Sequence, residues 1–165
     1  MTRNEVLARL KKARAEFDGR LEAIPPDAFD RPIPGHTHSP KQILAHVSAY
    51  ERLIVERLRA ARLREETAFD RDRDGWERFN ERVWLEAADE PADVVRSRSA
   101  GGFLALLEEV AVLSNAELTE HAGVALSIDP AWLSGHPLWE RIAVDGFEHY
   151  PAHFEQLEAA ASPSS

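Results

Sequence analysis

The sequence contains no cysteine among its 165 residues. Disulfides, thiolate nucleophiles, zinc ribbons and iron–sulfur clusters are therefore excluded, and any metal must be held by His, Asp or Glu. Long apolar runs are also missing. Charges interrupt every candidate before the roughly 18 residues that a membrane span needs. The opening MTRNEVLARLKKARAEF has no apolar leader core. A cytoplasmic chain without a membrane partner is the expectation. Lysine is scarce, confined to Lys11, Lys12 and Lys41, so nearly all of the 20 bases are Arg, set against 29 acids for a net charge of −9. A duplex-binding surface needs clustered bases to displace counterions. Here Arg is scattered among acids, as in RLRAARLREE, so nucleic acid is not an expected partner. No segment alternates with period two and no repeat recurs at a fixed spacing, which excludes a sheet and points to an all-α chain.

What is present is helical periodicity, in a length that suits one domain over residues 1–161 with a frayed tail at 162–165. Thr2, three residues before Glu5, has the spacing of a capping box. Val6, Leu7, Leu10, Ala13, Phe17 and Leu21 follow on one stripe, predicting a helix to about Ala23. Prolines end it, and AIPPDAFDRPIPGHTHSP reads as a linker over Ile24 to His38. Ser39 as N-cap and Pro40 at the first helical position open a second helix, running through KQILAHVSAYERLIVERLRAARLREE. Ile43, His46, Tyr50 and Leu53 share its core-facing stripe.

Between Thr67 and Glu90 the pattern weakens. Trp76, Phe79, Val83 and Trp84 keep helical spacing and predict a short helix inside a long crossover. Asp89 or Glu90 before Pro91 starts a third long helix, expected to reach about His121, with Leu104, Leu107, Val110, Ala111, Leu113 and Leu118 as its apolar side. Gly101 and Gly102 within it allow a bend, and small residues there suit close helix approach. Gly123 closes that helix, and a loop with one turn at Pro130 to Leu133 follows. The last helix runs from Pro137 to Ala161, with a kink between its two histidines because Pro151 denies Phe147 a hydrogen bond.

On that last helix Ile142, His149, His153 and Leu157 fall four or seven apart, on one face. Two imidazoles at i and i+4 can reach one ion about 2 Å away. Together with His46 they make three inward histidines, the donor set of an open, catalytic type of site for a divalent metal. The ions that suit it are Zn, Ni, Fe or Mn, with Zn and Ni placed first, and ligand type alone does not choose among them. The plain alternative is a set of core histidines satisfied by hydrogen bonds. Asp145 and Glu148 stand near enough in sequence to accept from the outer ring nitrogens, or to face solvent. His36 and His38 form an H-x-H pair in the linker, and His121 and His136 sit at helix ends in structural positions.

SPKQILAHVSAYE, with its S-x-x-x-x-L-x-H core, and HYPAH about a hundred residues later resemble the DinB-like metalloprotein superfamily. Helix lengths, the crossover and FNERVW extend the resemblance over nearly the whole chain. AIPPDAF, Asn80 and the H-Y-x-x-H ending are most similar to its ClbS/DfsB-type branch. The resemblance implies a four-helix bundle with a metal site at one end, made by His46, His149 and His153, and a homodimer, an expectation to which the surplus of apolar residues around Trp76, Trp84 and Trp132 adds. One departure is His38, at a position where an aromatic residue, usually Trp, precedes the N-cap serine. ClbS/DfsB-type relatives include hydrolases of reactive compounds that do not all keep the histidine triad, whereas this chain keeps all three. Other branches are S-transferases and isomerases that use low-molecular-weight thiols.

Two functions follow as expectations. One is a metal-dependent transferase or hydrolase acting on a small electrophile, with Tyr50, one turn beyond His46, as a polar group reaching the substrate and a small thiol as a possible partner. The other is a non-catalytic metal-binding or stress-response protein whose metal steadies the bundle.

Overall fold

A computed structural model describes residues 1–72 and 75–162; the end of the expected tail, residues 163–165, lies outside the described residues. All regular structure among them is helical. Four long members form the bundle: α1 (Arg3–Glu22), α2 (Pro40–Leu63), α5 (Ala92–Ala111) and a composite C-terminal member. The crossover from α2 to α5 carries α3 (Ala68–Asp72) and α4 (Trp76–Asp89). After α5 come α6 (Asn115–Thr119), a 3-10 turn at Gly123–Leu126 and α7 (Pro130–Leu133). The composite member is α8 (Leu138–Asp145), a 3-10 turn at Tyr150–His153 and α9 (Phe154–Ala161). Val6, Leu10 and Phe17 of α1, Ile54 and Leu58 of α2, Leu106 and Val110 of α5, Ile142 and Leu157 are fully buried together.

Capping explains several boundaries. Thr2 with Glu5 and Ser39 with Gln42 both form full capping boxes, and Pro40 takes the first turn of α2. α2 stops at Leu63, short of the expected run to Glu66, because Arg64 turns left-handed at φ 58° and sends its N–H back to Ala60 and Ala61.

The third long helix ends at Ala111, ten residues before His121. Ser114-Asn115-Ala116-Glu117 is itself a capping box and restarts the chain as α6. The two glycines do not interrupt α5. A Cβ at position 102 would stand 3.5 Å from the Arg52 side chain, while one at position 101 would meet nothing within 4 Å. Close approach to α2 therefore holds for Gly102 alone.

The final helix departs furthest from expectation. Its interruption is wider than a kink, running from Gly146 to His153. A Cβ at position 146 would stand 2.6 Å from the Ile142 carbonyl oxygen and 3.1 Å from Leu10, a fold-back that only glycine permits. Pro151 then keeps the next turn tight, and α-helix resumes at Phe154.

Polar ties lay the crossover on α2. Lys41 Nζ donates to the carbonyls of Ala88 at 3.2 Å and Glu90 at 2.7 Å, and Gln42 Nε2 donates to Trp84 O at 2.9 Å. Arg57, 4% exposed at its side chain, forks onto Asp70 of α3. Of the three tryptophans expected to contribute to a dimer, Trp132 is buried and its Nε1 donates to Asp145, and Trp84 is half-buried under stacked rings. Only Trp76 keeps substantial exposure, at 39%.

Candidate metal centre

His46 stands on the core stripe of α2, buried, while His149 and His153 flank the tight turn of the C-terminal member, each half-buried. Their ligand atoms all lie within 4.8 Å of one another. Nε2 of His149 is 3.2 Å from Nε2 of His46 and 3.3 Å from Nε2 of His153. Metal–nitrogen bonds of about 2.0–2.1 Å in a tetrahedron put donor atoms about 3.3 Å apart. These two separations fit ligands around one ion.

Tautomers strengthen the fit. Gln156 Oε1 lies 2.8 Å from His153 Nδ1, and an amide oxygen only accepts, so that nitrogen carries the proton and Nε2 presents a lone pair. His149 can then offer at most one Nε2 proton to two imidazole neighbours. A cation among three lone pairs serves all three rings, which one proton does not. Nδ1 of both His46 and His149 is buried without a hydrogen bond of ordinary geometry.

Burial also keeps the rings in the ligand form. Desolvation, then the neighbouring histidines, pushes His46 down to about 2. Desolvation and His153 lower His149 to about 4, opposed by the backbone carbonyl of Asp145. His153 is lowered by burial, with Gln156 opposing. Each ring is thereby held below the ordinary histidine value of about 6.5 and favours its neutral form at pH 7, so protons compete for the lone pairs only in acid.

The walls are aromatic. Trp84 of α4 stacks on His46 with centroids 4.3 Å apart, and His38 stacks on Trp84 at 4.0 Å. Tyr50 presents an edge-on ring to His149 at 4.6 Å and to His46 at 4.9 Å, and lies parallel to Trp76 at 5.2 Å. Its hydroxyl donates to Asn80 Oδ1 at 3.1 Å, and burial raises its pKa, so it is a neutral donor. Beyond Trp76 opens a cavity of about 580 Å³ lined also by Arg57, Asp70, Trp132 and Arg141; none of the three histidines lines it.

The structure thus brings together His46, His149, His153 and Tyr50. The carboxylates expected behind the rings are elsewhere. Asp145 accepts from Trp132 at 2.9 Å and lies 4.0 Å from Arg57, touching His149 through its backbone only, and Glu148 faces solvent. Gln156 takes that place for His153, and its Nε2 extends to His36 Nδ1 at 3.5 Å. The H-x-H pair is thus split between Gln156 and Trp84. Sequence reasoning missed Gln156, although its place three residues after His153 was a usable signal. It also missed the stacking of Trp84, which no spacing rule reveals across two helices. His121 and His136 are exposed and away from the centre, His136 bonding Glu140 at 2.7 Å.

A sequence model of the DinB superfamily matches residues 9–140. The chain belongs to the DinB superfamily. The match includes His46 and stops before His149, so the C-terminal pair rests on the geometry above. A crystal structure of a protein from Streptococcus pneumoniae is similar in fold, with a TM-score of 0.75 at 14% identity, over 96% of this chain and 89% of that one. No curated protein matches the sequence. As a DinB-superfamily bundle, the chain holds its three histidines where two bundle members meet. Among the described residues no helix is long and apolar enough to cross a membrane.

Proposed function

We propose that this chain is a divalent-metal-dependent enzyme of the thiol S-transferase or hydrolase type, acting on a small electrophile. The observation that carries the reading is the convergence of three neutral Nε2 atoms with no fourth protein ligand grouped with them among the described residues. Three such donors leave a coordination position for a water or a small thiol. When bound, a divalent ion at such a site lowers the pKa of that water or thiol so that its anion is available at neutral pH.

The chain's own residues hold and shield this position. His46, His149 and His153 supply the lone pairs, and Gln156 keeps His153 in the right tautomer. Trp84 and Tyr50 limit water around the imidazoles, which strengthens polar interactions there. Tyr50, fixed by Asn80 and edge-on to two ligands, is the group we assign to orienting substrate. Zn or Ni suits the set first, and Fe or Mn next. AIPPDAF, Asn80 and the H-Y-x-x-H ending support the ClbS/DfsB-type branch, and the homodimer goes with that reading.

A second reading has its own support. The cavity beside Trp76 does not include the histidines, as suits a metal that steadies the bundle without chemistry. The test is to purify the untagged protein and measure bound metal. Consumption of a panel of epoxides, alkyl halides and activated esters is then followed with and without a small thiol. Metal-dependent turnover lost in His149→Ala supports the enzyme. Stoichiometric metal with no turnover on the panel favours the second reading.

A further inference from the structure

Beneath the imidazoles lies a polar cluster in the centre of the core. Glu51 is fully buried, and its Oε1 accepts from Tyr150 Oη at 2.5 Å and from Arg14 Nη1 at 3.0 Å. Oε2 lies 3.2 Å from the same Nη1, and Arg14 Nη2 donates to Ser99 Oγ at 2.8 Å. Arg14 Nε reaches Asp18 at 2.8 Å. One cluster therefore joins α1, α2, α5 and the C-terminal turn. Tyr150 is itself fully buried and packs on Phe17, with centroids 5.3 Å apart. An apolar core would fill this volume without the desolvation cost of an ion pair, so the charges call for an explanation beyond packing.

Position supplies it. Glu51 lies five residues past His46 on the same unbroken helix, so it moves with the frame that carries His46. Tyr150 directly follows His149 and precedes His153 by three. The segment holding these two has no continuous α-helical ladder, since α8 ends at Asp145 and α9 begins at Phe154. Its own backbone bonds are short turns, such as His149 N to Gly146 O at 2.9 Å and Ala152 N to His149 O at 3.1 Å. Such turns do not fix where the segment sits against α2. The Tyr150–Glu51 bond does: it is short, and Arg14 braces the same carboxyl group at 3.0 Å.

We infer that Glu51 and Tyr150 are positioning residues for the metal centre, a buried clamp that sets the C-terminal histidines in register with His46. The inference rests on the metal reading above. The clamp touches no imidazole among the described contacts and acts through the backbone on either side of it. Arg14 holds the carboxylate from the other side, with Ser99 as its outer support.

Metal-free wild type, Tyr150→Phe, Glu51→Gln and Ser99→Ala are titrated with Co²⁺ against a competing chelator, at a temperature where circular dichroism shows all four folded. Tyr150→Phe and Glu51→Gln are expected to weaken Co²⁺ about tenfold or more and to alter its visible ligand-field spectrum. Ser99→Ala, which loosens the same cluster away from the histidines, is expected to lower the unfolding temperature and leave affinity and spectrum in place. Wild-type affinity and spectrum in Tyr150→Phe overturn the clamp, as does an equal loss in Ser99→Ala, which would mark general stability as the cause. Failure of the wild type itself to take one Co²⁺ overturns the metal reading and the clamp with it.

Discussion

The indole of Trp84 lies on the imidazole of His46 with ring centroids 4.3 Å apart and planes 19° from parallel. This contact keeps water off the face of a ring whose charged form needs it. Trp84→Ala is therefore expected to bring the His46 pKa up from about 2 toward the ordinary value of about 6.5. NMR titration of the imidazole C–H resonances in the metal-free protein reads it directly. A His46 that still resists protonation would assign the effect to its other neighbours.

The three proposed ligands are expected to fail as a unit. His149→Ala should remove most metal binding, and adding His153→Ala should change little further, since an incomplete set holds the ion weakly in either case. Elemental analysis after gel filtration checks this. Full metal retention in the double variant would sink the assignment and direct attention to His36 and His38.

The metal-free fold should weaken in mild acid. In the unfolded chain His46 and His149 take protons near 6.5, and in the folded chain at about 2 and about 4. Between those values the unfolded chain binds more protons, so stability rises with pH. The contribution is complete above about pH 6.5 and falls as pH drops; the His149 share is gone by about 4, and the His46 share continues toward about 2. Between pH 7.5 and pH 5.0 the two shares together come to a few kcal/mol. Urea unfolding at pH 7.5 and pH 5.0 should show lower stability in acid, and His149→Gln should narrow the gap. An unnarrowed gap would place the proton uptake on other groups.

Gly146→Ala forces a Cβ to within 2.6 Å of the Ile142 carbonyl oxygen, a backbone contact that no side-chain rotation relieves. The fold-back should open, lowering the unfolding temperature and moving His149 out of line. We expect a loss of stability of about 1–3 kcal/mol together with weaker metal binding. Calorimetry of the metal-free and loaded forms separates the two effects, and unchanged behaviour in both would show that the segment tolerates another path.

How much of this was legible beforehand depends on the range of the interaction. The capping box at Thr2 and the N-cap Ser39 before Pro40 are local codes, and they marked helix starts correctly. Ser114 and Glu117 carry the same code but sit inside an apolar pattern that continues to Leu118, so periodicity hid the break between α5 and α6. The i, i+4 spacing brought His149 and His153 together for an incomplete reason. Helical geometry suggested their proximity, yet the chain between them is a tight turn and a 3-10 segment, and their nitrogens still meet at 3.3 Å. The Glu51–Tyr150 pairing spans 99 residues and leaves no periodic trace, because Glu51 occupies an ordinary helical position and its burial depends on Arg14 from another helix.

The separation of 103 residues between His46 and His149 has a meaning for the unfolded chain. His149 and His153 stay near each other in any conformation, whereas gathering His46 with them from a random coil means closing a loop of about 100 residues, an entropic cost of about 4–5 kcal/mol. An ion that needs all three rings therefore discriminates sharply between the folded chain and every disordered one. In a sequence without cysteine, such an ion would be a reversible long-range cross-link, set by metal supply and withdrawn by a chelator.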